Sequence, residues 1–98
     1  MSKFGELIEA RTPVLLDFYS GTDAASNEMN AVLRDIAATL GDKARVIKID
    51  VDKNKELSDA LRIKELPTLM IYKNGEMKWR QSGEQDVKTL MDLVNEYI

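Results

Sequence analysis

Hydrophobic positions change their spacing from one segment of the chain to the next, and this predicts an alternation of strands and helices. Residues 14–19 form an almost unbroken apolar run, which is typical of a strand covered on both faces. Further on, apolar residues recur every three or four positions, which predicts an amphipathic helix over about 26–40. Gly41 and Asp42 then predict the end of that helix.

The same pattern predicts the remaining elements. Residues 45–51 alternate between apolar and polar, so a second strand follows the helix, and a strand-helix-strand order implies a right-handed parallel unit. The Asn74-Gly75 pair between two β-rich segments, 68–72 and 77–81, predicts a hairpin. Apolar stripes predict three further helices: a short one within 3–10, one within 54–61 capped by Asn54 that buries Leu57, Ala60 and Leu61, and a last one with Val87, Leu90, Met91, Val94, Tyr97 and Ile98 on one face.

One ionisable residue interrupts the apolar run of the first strand. Asp17 is flanked by Leu16 and Phe18, so its carboxyl group must lose hydration, which calls for a partner or a raised pKa. Lys48 lies in the predicted neighbouring strand and is the charged residue placed to approach it. Asp17 is therefore a candidate site residue.

The loop after the first strand consists of small and polar residues, and it leads into the N-terminus of the predicted helix, where backbone N–H groups lack partners. Thr22, Asp23 and Ser26 can each accept a hydrogen bond from those groups, and each such cap contributes about 1 kcal/mol. A negative charge at Asp23 also gains from the helix dipole.

Composition bounds the class of protein. Ninety-eight residues, 44% of them hydrophobic and 32% charged, predict a single globular domain over 1–98. The net charge is −3 with the signs interspersed, which argues against nucleic acid or a membrane as a partner. No apolar run has the length of a signal peptide or a membrane span, so a cytoplasmic location is expected, and we expect a monomer.

Two residue types are missing from the sequence. The chain has no cysteine, which excludes disulfides, thiolate metal sites and thiol nucleophiles. It has no histidine, which removes the usual base and metal ligand at neutral pH. We therefore expect neither a metal nor another cofactor.

Several segments carry a resemblance to one family. The stretch PVLLDFYSGTDAASNEM resembles the active-site segment of thioredoxins, in which PVLVDFWA is followed by two residues and then CGPC. VIKIDVDKN is similar to the next family strand, Leu66-Pro67-Thr68 to the family's Ile-Pro-Thr with its cis proline, and LMIYKNGE to the following hairpin. The resemblance covers essentially the whole chain and implies a thioredoxin-like α/β fold, a three-layer sandwich with a mixed central β-sheet flanked by helices.

On this resemblance, Asp23 and Ser26 stand where the family has its two redox cysteines. Dithiol chemistry needs a nucleophilic thiolate and a second, resolving thiol, and neither a carboxylate nor an unactivated hydroxyl can replace them. The family's Gly-Pro between the cysteines is also replaced, by Ala24-Ala25, which favours a natural cysteine-less paralogue over an engineered variant. The chain is predicted not to be a redox enzyme.

The resemblance also places Lys48 near the buried aspartate. One interpretation of Asp17 and Lys48 is a proton relay that serves thiol chemistry. The other is a buried charge pair kept for packing and electrostatics, and it is favoured because no thiol is present. In either case we expect a raised pKa for Asp17, with Lys48 as a contributor.

The function predicted from the resemblance is protein or extended-peptide binding by a regulatory or scaffold paralogue. In thioredoxins the surface beside the redox pair grips an extended peptide partly through backbone hydrogen bonds, which needs no sulfur. The matching positions are Thr22, Asp23, Ala24, Leu66, Pro67, Ser82 and Gly83. Three alternatives stay open: a family-assigned thiol-disulfide oxidoreductase whose cysteines were lost in this chain, a fold with no surviving site, and a hydrolase that uses Asp17 and Asp23 as paired carboxylates.

Overall fold

Four strands and four α-helices follow one another in the computed structural model, which describes residues 3–98. A single 3₁₀ turn, Gly41–Lys43, follows the longest helix. The elements in chain order are α1 (Lys3–Ile8), β1 (Val14–Tyr19), α2 (Ala24–Leu40), β2 (Arg45–Asp50), α3 (Lys55–Ala60), β3 (Thr68–Lys73), β4 (Glu76–Ser82) and α4 (Val87–Asn95).

The strands form one mixed sheet in the order β2-β1-β3-β4. β1 and β2 are parallel, so the predicted parallel unit is confirmed, and the other two pairings are antiparallel. Asn74 and Gly75 connect β3 to β4 with φ angles of 54° and 81°. Positive φ at both central residues is what a two-residue hairpin turn requires, which explains the Asn-Gly pair.

The core lies on both faces of the sheet because successive β1 side chains point to opposite sides. Leu15 packs with α2 and α4 on one face, whereas Val14, Leu16 and Phe18 pack on the other face towards α1 and α3. All four of these side chains are fully buried. The predicted three-layer thioredoxin-like α/β sandwich is therefore confirmed.

Helix α2 supplies much of one layer. Its buried residues are Ser26, Met29, Leu33, Ile36 and Leu40, which recur at helical spacing. The helix begins at Ala24 rather than near 26, because Asp23 already acts as its N-cap, and it ends before Gly41, which has a φ of 53°. Among residues 3–98, no helix is both long enough and apolar enough to span a membrane.

Two expectations about the smaller helices were wrong, and a third holds only in part. In helix α3 Ala60 is exposed and Ser58 is buried. Ser58 can be buried because its hydroxyl donates to the Asn54 carbonyl (2.9 Å) and so needs no water. Asn54 is the N-cap residue of α3, as predicted, but its side chain makes no cap hydrogen bond, because its side-chain amide donates to the Asp50 carbonyl (2.8 Å). Ile98 lies beyond the end of α4 and is 51% exposed.

Candidate functional site

The loop between β1 and α2 is held in place by hydroxyl groups. Ser20 is buried, and its Oγ donates to Asp52 Oδ2 (2.7 Å) and lies 3.0 Å from Thr22 Oγ1. The Ser20 amide donates to Oγ of Ser26 (3.4 Å), which is itself 1% exposed. Ser26 therefore serves the loop as a buried acceptor, whereas Thr22 is exposed.

Asp23 occupies the N-terminus of α2. Its backbone is extended (φ −94°, ψ 124°), and its Oδ2 accepts a hydrogen bond from the Ser26 amide (2.8 Å). The Asp23 carbonyl accepts from the Asn27 amide (3.1 Å), which starts the helix. A carboxylate at this position satisfies one of the unpaired N–H groups and interacts favourably with the helix dipole.

Strand register brings the other predicted positions to the same end of the sheet. Thr68 lies opposite Phe18 of β1 and opposite Ser82 of β4, so the residues that follow β1, precede β3 and follow β4 meet at the same end of the sheet. The Gly83 amide donates to the Pro67 carbonyl (2.8 Å), and the Leu66–Pro67 peptide bond is cis. The loop after β1, the segment before β3 and the segment after β4 therefore form one surface.

Acidic residues lie beside this surface, and two of them, Glu28 and Glu84, were not singled out from the sequence. A hydrogen bond with Glu28 and the negative charge of Glu28 raise the pKa of Glu84, with smaller contributions from burial and from Asp23. These interactions place the Glu84 carboxyl, just after Gly83, against the first turns of α2. Glu28 and Glu84 come from distant parts of the chain, so no local pattern could have paired them.

Asp17 is buried beneath this region and has no hydrogen-bond partner for either carboxylate oxygen among residues 3–98. Burial raises its pKa to about 6, and the charge of Lys48 partly offsets that rise. A buried carboxylate without donors favours the protonated form because the charge has lost its hydration. The expectation of a raised pKa for Asp17 therefore agrees with its surroundings.

The expected buried charge pair is not what the structure contains. Lys48 lies opposite Asp17 in the β1–β2 register, but it is exposed. Its Nζ donates to Asn30 Oδ1 and lies 4.5 Å from the centre of the Tyr19 ring. A long lysine side chain can cover apolar surface and still keep its ammonium group in water, so register alone does not bury the charge.

The arrangement offers little to a hydrolase. Asp17 has 0% exposure, so it cannot touch a substrate, and Asp23 is committed to the cap of α2. In the described part of the chain, no three acidic side chains come together in a way that could hold a metal ion. What the surface does present is backbone polar groups beside the acidic side chains of Asp23, Glu28 and Glu84.

A four-stranded mixed sheet flanked by helices, with a helix N-terminus beside a cis proline and a glycine, defines a thioredoxin-like protein. The family model for thioredoxin matches residues 1–96, and the chain belongs to the thioredoxin family. It is 31% identical to the thioredoxin of Rickettsia typhi over 93 residues, which is 95% of this chain and 89% of that protein.

Solved structures give the same result. A mutant thioredoxin from Halobacterium salinarum NRC-1 has a TM-score of 0.88 and 30% identity, and the match covers 99% of this chain and 84% of that one. Chloroplastic thioredoxin z, whose crystal structure defines a type-specific target recognition, has a TM-score of 0.86 and 25% identity, covering 99% of this chain and 90% of that one.

Proposed function

We propose that this chain binds protein or extended peptide segments as a regulatory or scaffold member of its family and carries out no dithiol-disulfide exchange. Exchange moves electrons between sulfur atoms, and the sequence contains no cysteine. A family-assigned oxidoreductase activity would need both thiols that Asp23 and Ser26 replace. No observation favours the hydrolase, because Asp17 is buried.

This proposal rests on the hydrogen-bonding state of the Leu66 backbone. Its N–H and C=O groups make no hydrogen bond within residues 3–98, although the residue is only partly exposed. Its neighbours are engaged, since the Pro67 carbonyl accepts from Gly83 and the Glu65 carbonyl accepts from Thr68 Oγ1. A free donor and acceptor on one residue can bind an extended segment through main-chain hydrogen bonds.

Charge restricts the segment that would fit. Asp23, Glu28 and Glu84 border the surface, and a hydrogen bond with Glu28, followed by the negative charge of Glu28, raises the pKa of Glu84. A cationic side chain on the partner would interact favourably with these acidic residues, whereas an acidic one would be repelled by them. We therefore propose a neutral or basic segment. The target recognition described for chloroplastic thioredoxin z supports a role for this fold in partner selection.

The test is a titration of the isotope-labelled protein with a short peptide that alternates Lys and Val, followed by backbone amide shifts. Binding should shift the amides of Leu66, Gly83 and Ala24. The Asp23→Lys variant should bind this peptide about tenfold more weakly, because it places a like charge at the surface. Asp42→Lys makes the same change in the 3₁₀ turn at the other end of α2 and should bind as the unaltered chain does.

Two outcomes would contradict the proposal. Shifts confined to residues far from Leu66 would place binding elsewhere on the molecule. Equal weakening by Asp23→Lys and Asp42→Lys would show that only the net charge matters.

A further inference from the structure

The outer edge of β2 is a second place where backbone groups lack partners. β2 is a terminal strand of the sheet. The amides of Arg45 and Val51 donate inward, to the carbonyls of Pro13 (3.0 Å) and Tyr19 (2.9 Å). Because successive residues of a strand direct their N–H and C=O groups to alternate sides, Val46 and Lys48 direct theirs away from β1. Nothing among residues 3–98 hydrogen-bonds to these outward groups.

The other terminal strand, β4, differs. Its pairing with β3 contains an irregularity, since Ile71 lies opposite Trp79 but Tyr72 lies opposite Met77. In addition, the Tyr97 hydroxyl donates to the Lys78 carbonyl (3.4 Å). Bulges and covering contacts are the usual protection of a sheet edge. Among residues 3–98, β2 shows neither a bulge nor a covering contact and pairs regularly with β1, so its outer edge is open to a further strand within the part of the chain that the structure describes.

Two grooves flank this edge, one on each face of the sheet. The groove between α2 and β2 has a volume of about 380 Å³ and is lined by Asn30, Leu33, Arg34, Ala37, Val46 and Lys48. The groove on the opposite face has a volume of about 370 Å³, and its lining includes Ile47, Ile49 and Leu57. An added strand would direct alternate side chains into these two grooves.

The edge is positively charged on an acidic protein. The charged residues that line the first groove are Arg34 and Lys48, both cations. Those that line the second are Lys3, Lys48, Asp50 and Lys53, so cations again predominate, although the chain carries a net charge of −3. Acidic side chains would complement this edge. A second copy of β2 would bring the same cations together, which disfavours self-pairing.

We propose that the free edge of β2 binds an extended, acidic segment of a partner protein by strand addition. The outward backbone groups of Val46 and Lys48 supply the hydrogen bonds, and Arg34 and Lys48 select the charge. This interface is separate from the surface at Leu66 and requires a partner segment of the opposite sign, so each can fail without the other.

The probe is a short peptide that alternates Glu and Val, titrated into the isotope-labelled protein up to about 2 mM, a range that detects weak binding. The amides of Val46 and Lys48 should shift and exchange more slowly with solvent. A fully N-methylated peptide of the same sequence has no N–H groups to donate, and it should bind at least about tenfold more weakly.

Charge is tested with Arg34→Glu, which should weaken binding of the Glu-Val peptide about fivefold. The matched control is Lys88→Glu on α4, whose side chain is 85% exposed, and it should leave binding unchanged. The proposal is overturned if the β2 amides do not respond, if the N-methylated peptide binds equally well, or if Arg34→Glu and Lys88→Glu act alike. A dimer with protected β2 amides and no peptide present would also overturn it, because the occupant would then be a second copy.

Discussion

Asp17 and Asp23 lie on the same strand-loop-helix segment, yet their carboxyl groups have opposite surroundings. Asp23 receives a hydrogen bond from the Ser26 amide at 2.8 Å and sits at a helix N-terminus. Asp17 is fully buried and receives no hydrogen bond from residues 3–98. The comparison shows that the availability of backbone donors decides whether a carboxylate stabilises this fold or destabilises it.

The largest expected effect is a gain in stability on removal of the buried charge. The pKa of Asp17 is raised from 3.8 to about 6 on folding, so the folded state binds the proton more tightly than the unfolded state does. Stability is therefore lost as the pH rises from about 4 through 6, and the loss reaches about 3 kcal/mol above pH 7. Asp17→Asn should raise the free energy of unfolding at pH 8 by about 2 kcal/mol, less than the full amount because the amide remains buried without partners.

Urea unfolding at pH 8 and pH 4 measures this gain. It should nearly vanish at pH 4, where Asp17 is protonated in the folded state. Asp42→Asn, in an exposed turn, should change stability little at either pH and serves as the control. A gain of the same size at both pH values would mean that packing, rather than charge, is responsible.

A smaller effect of the opposite sign is expected at the other aspartate. Asp23→Ala removes the acceptor for the Ser26 amide and should lower the free energy of unfolding by about 1 kcal/mol. Asp23→Asn keeps an acceptor at the cap and should lie close to the unaltered chain. Urea unfolding of the three proteins at pH 7 provides the measurement, and an alanine variant as stable as the asparagine variant would show that the cap contributes nothing.

The smallest effect concerns the charge of Lys48. This ammonium group lowers the pKa of Asp17, so Lys48→Met should raise that pKa further above about 6. Carboxyl NMR titration of Asp17 in the two proteins measures the change. Lys88→Met, which removes an exposed cation from α4, should leave the titration of Asp17 where it was. An unchanged value in Lys48→Met would remove Lys48 from the electrostatics of the site.

The strands and helices could be predicted from the sequence because their signals are local, whereas the thioredoxin-like sandwich was implied by the resemblance to the thioredoxin family. The apolar run interrupted only by Asp17 predicted the buried β1, and the Asn74-Gly75 pair predicted the hairpin that the structure contains. The burial of Asp17 followed from the same run, since its neighbours on both sides are fully buried. These features depend on adjacent residues, which a pattern reads directly.

Long-range features could not be predicted in this way. The Lys48 ammonium group contacts Asn30 and the ring of Tyr19, and strand alternation does not predict these contacts or the exposure of the side chain. The contact between Glu28 and Glu84 joins two exposed residues that are distant in the sequence. The free edge of β2 is a property of the whole sheet, because it depends on which strand is terminal.

Under the proposed function, this member of the thioredoxin family keeps the scaffold of the family's site without its sulfur chemistry. The most direct test is a double variant, Asp23→Cys with Ser26→Cys, assayed for reduction of a protein disulfide with dithiothreitol as the electron source. A helix N-terminus lowers the pKa of a thiol, so the thiolate at position 23 should attack the protein disulfide and the thiol at position 26 should resolve the mixed disulfide. The substrate is thereby reduced, the two introduced thiols become a disulfide, and dithiothreitol reduces that disulfide again, while the unaltered chain adds nothing to the uncatalysed rate. Failure of a folded double variant to close that disulfide, or activity of the unaltered chain, would contradict the claim.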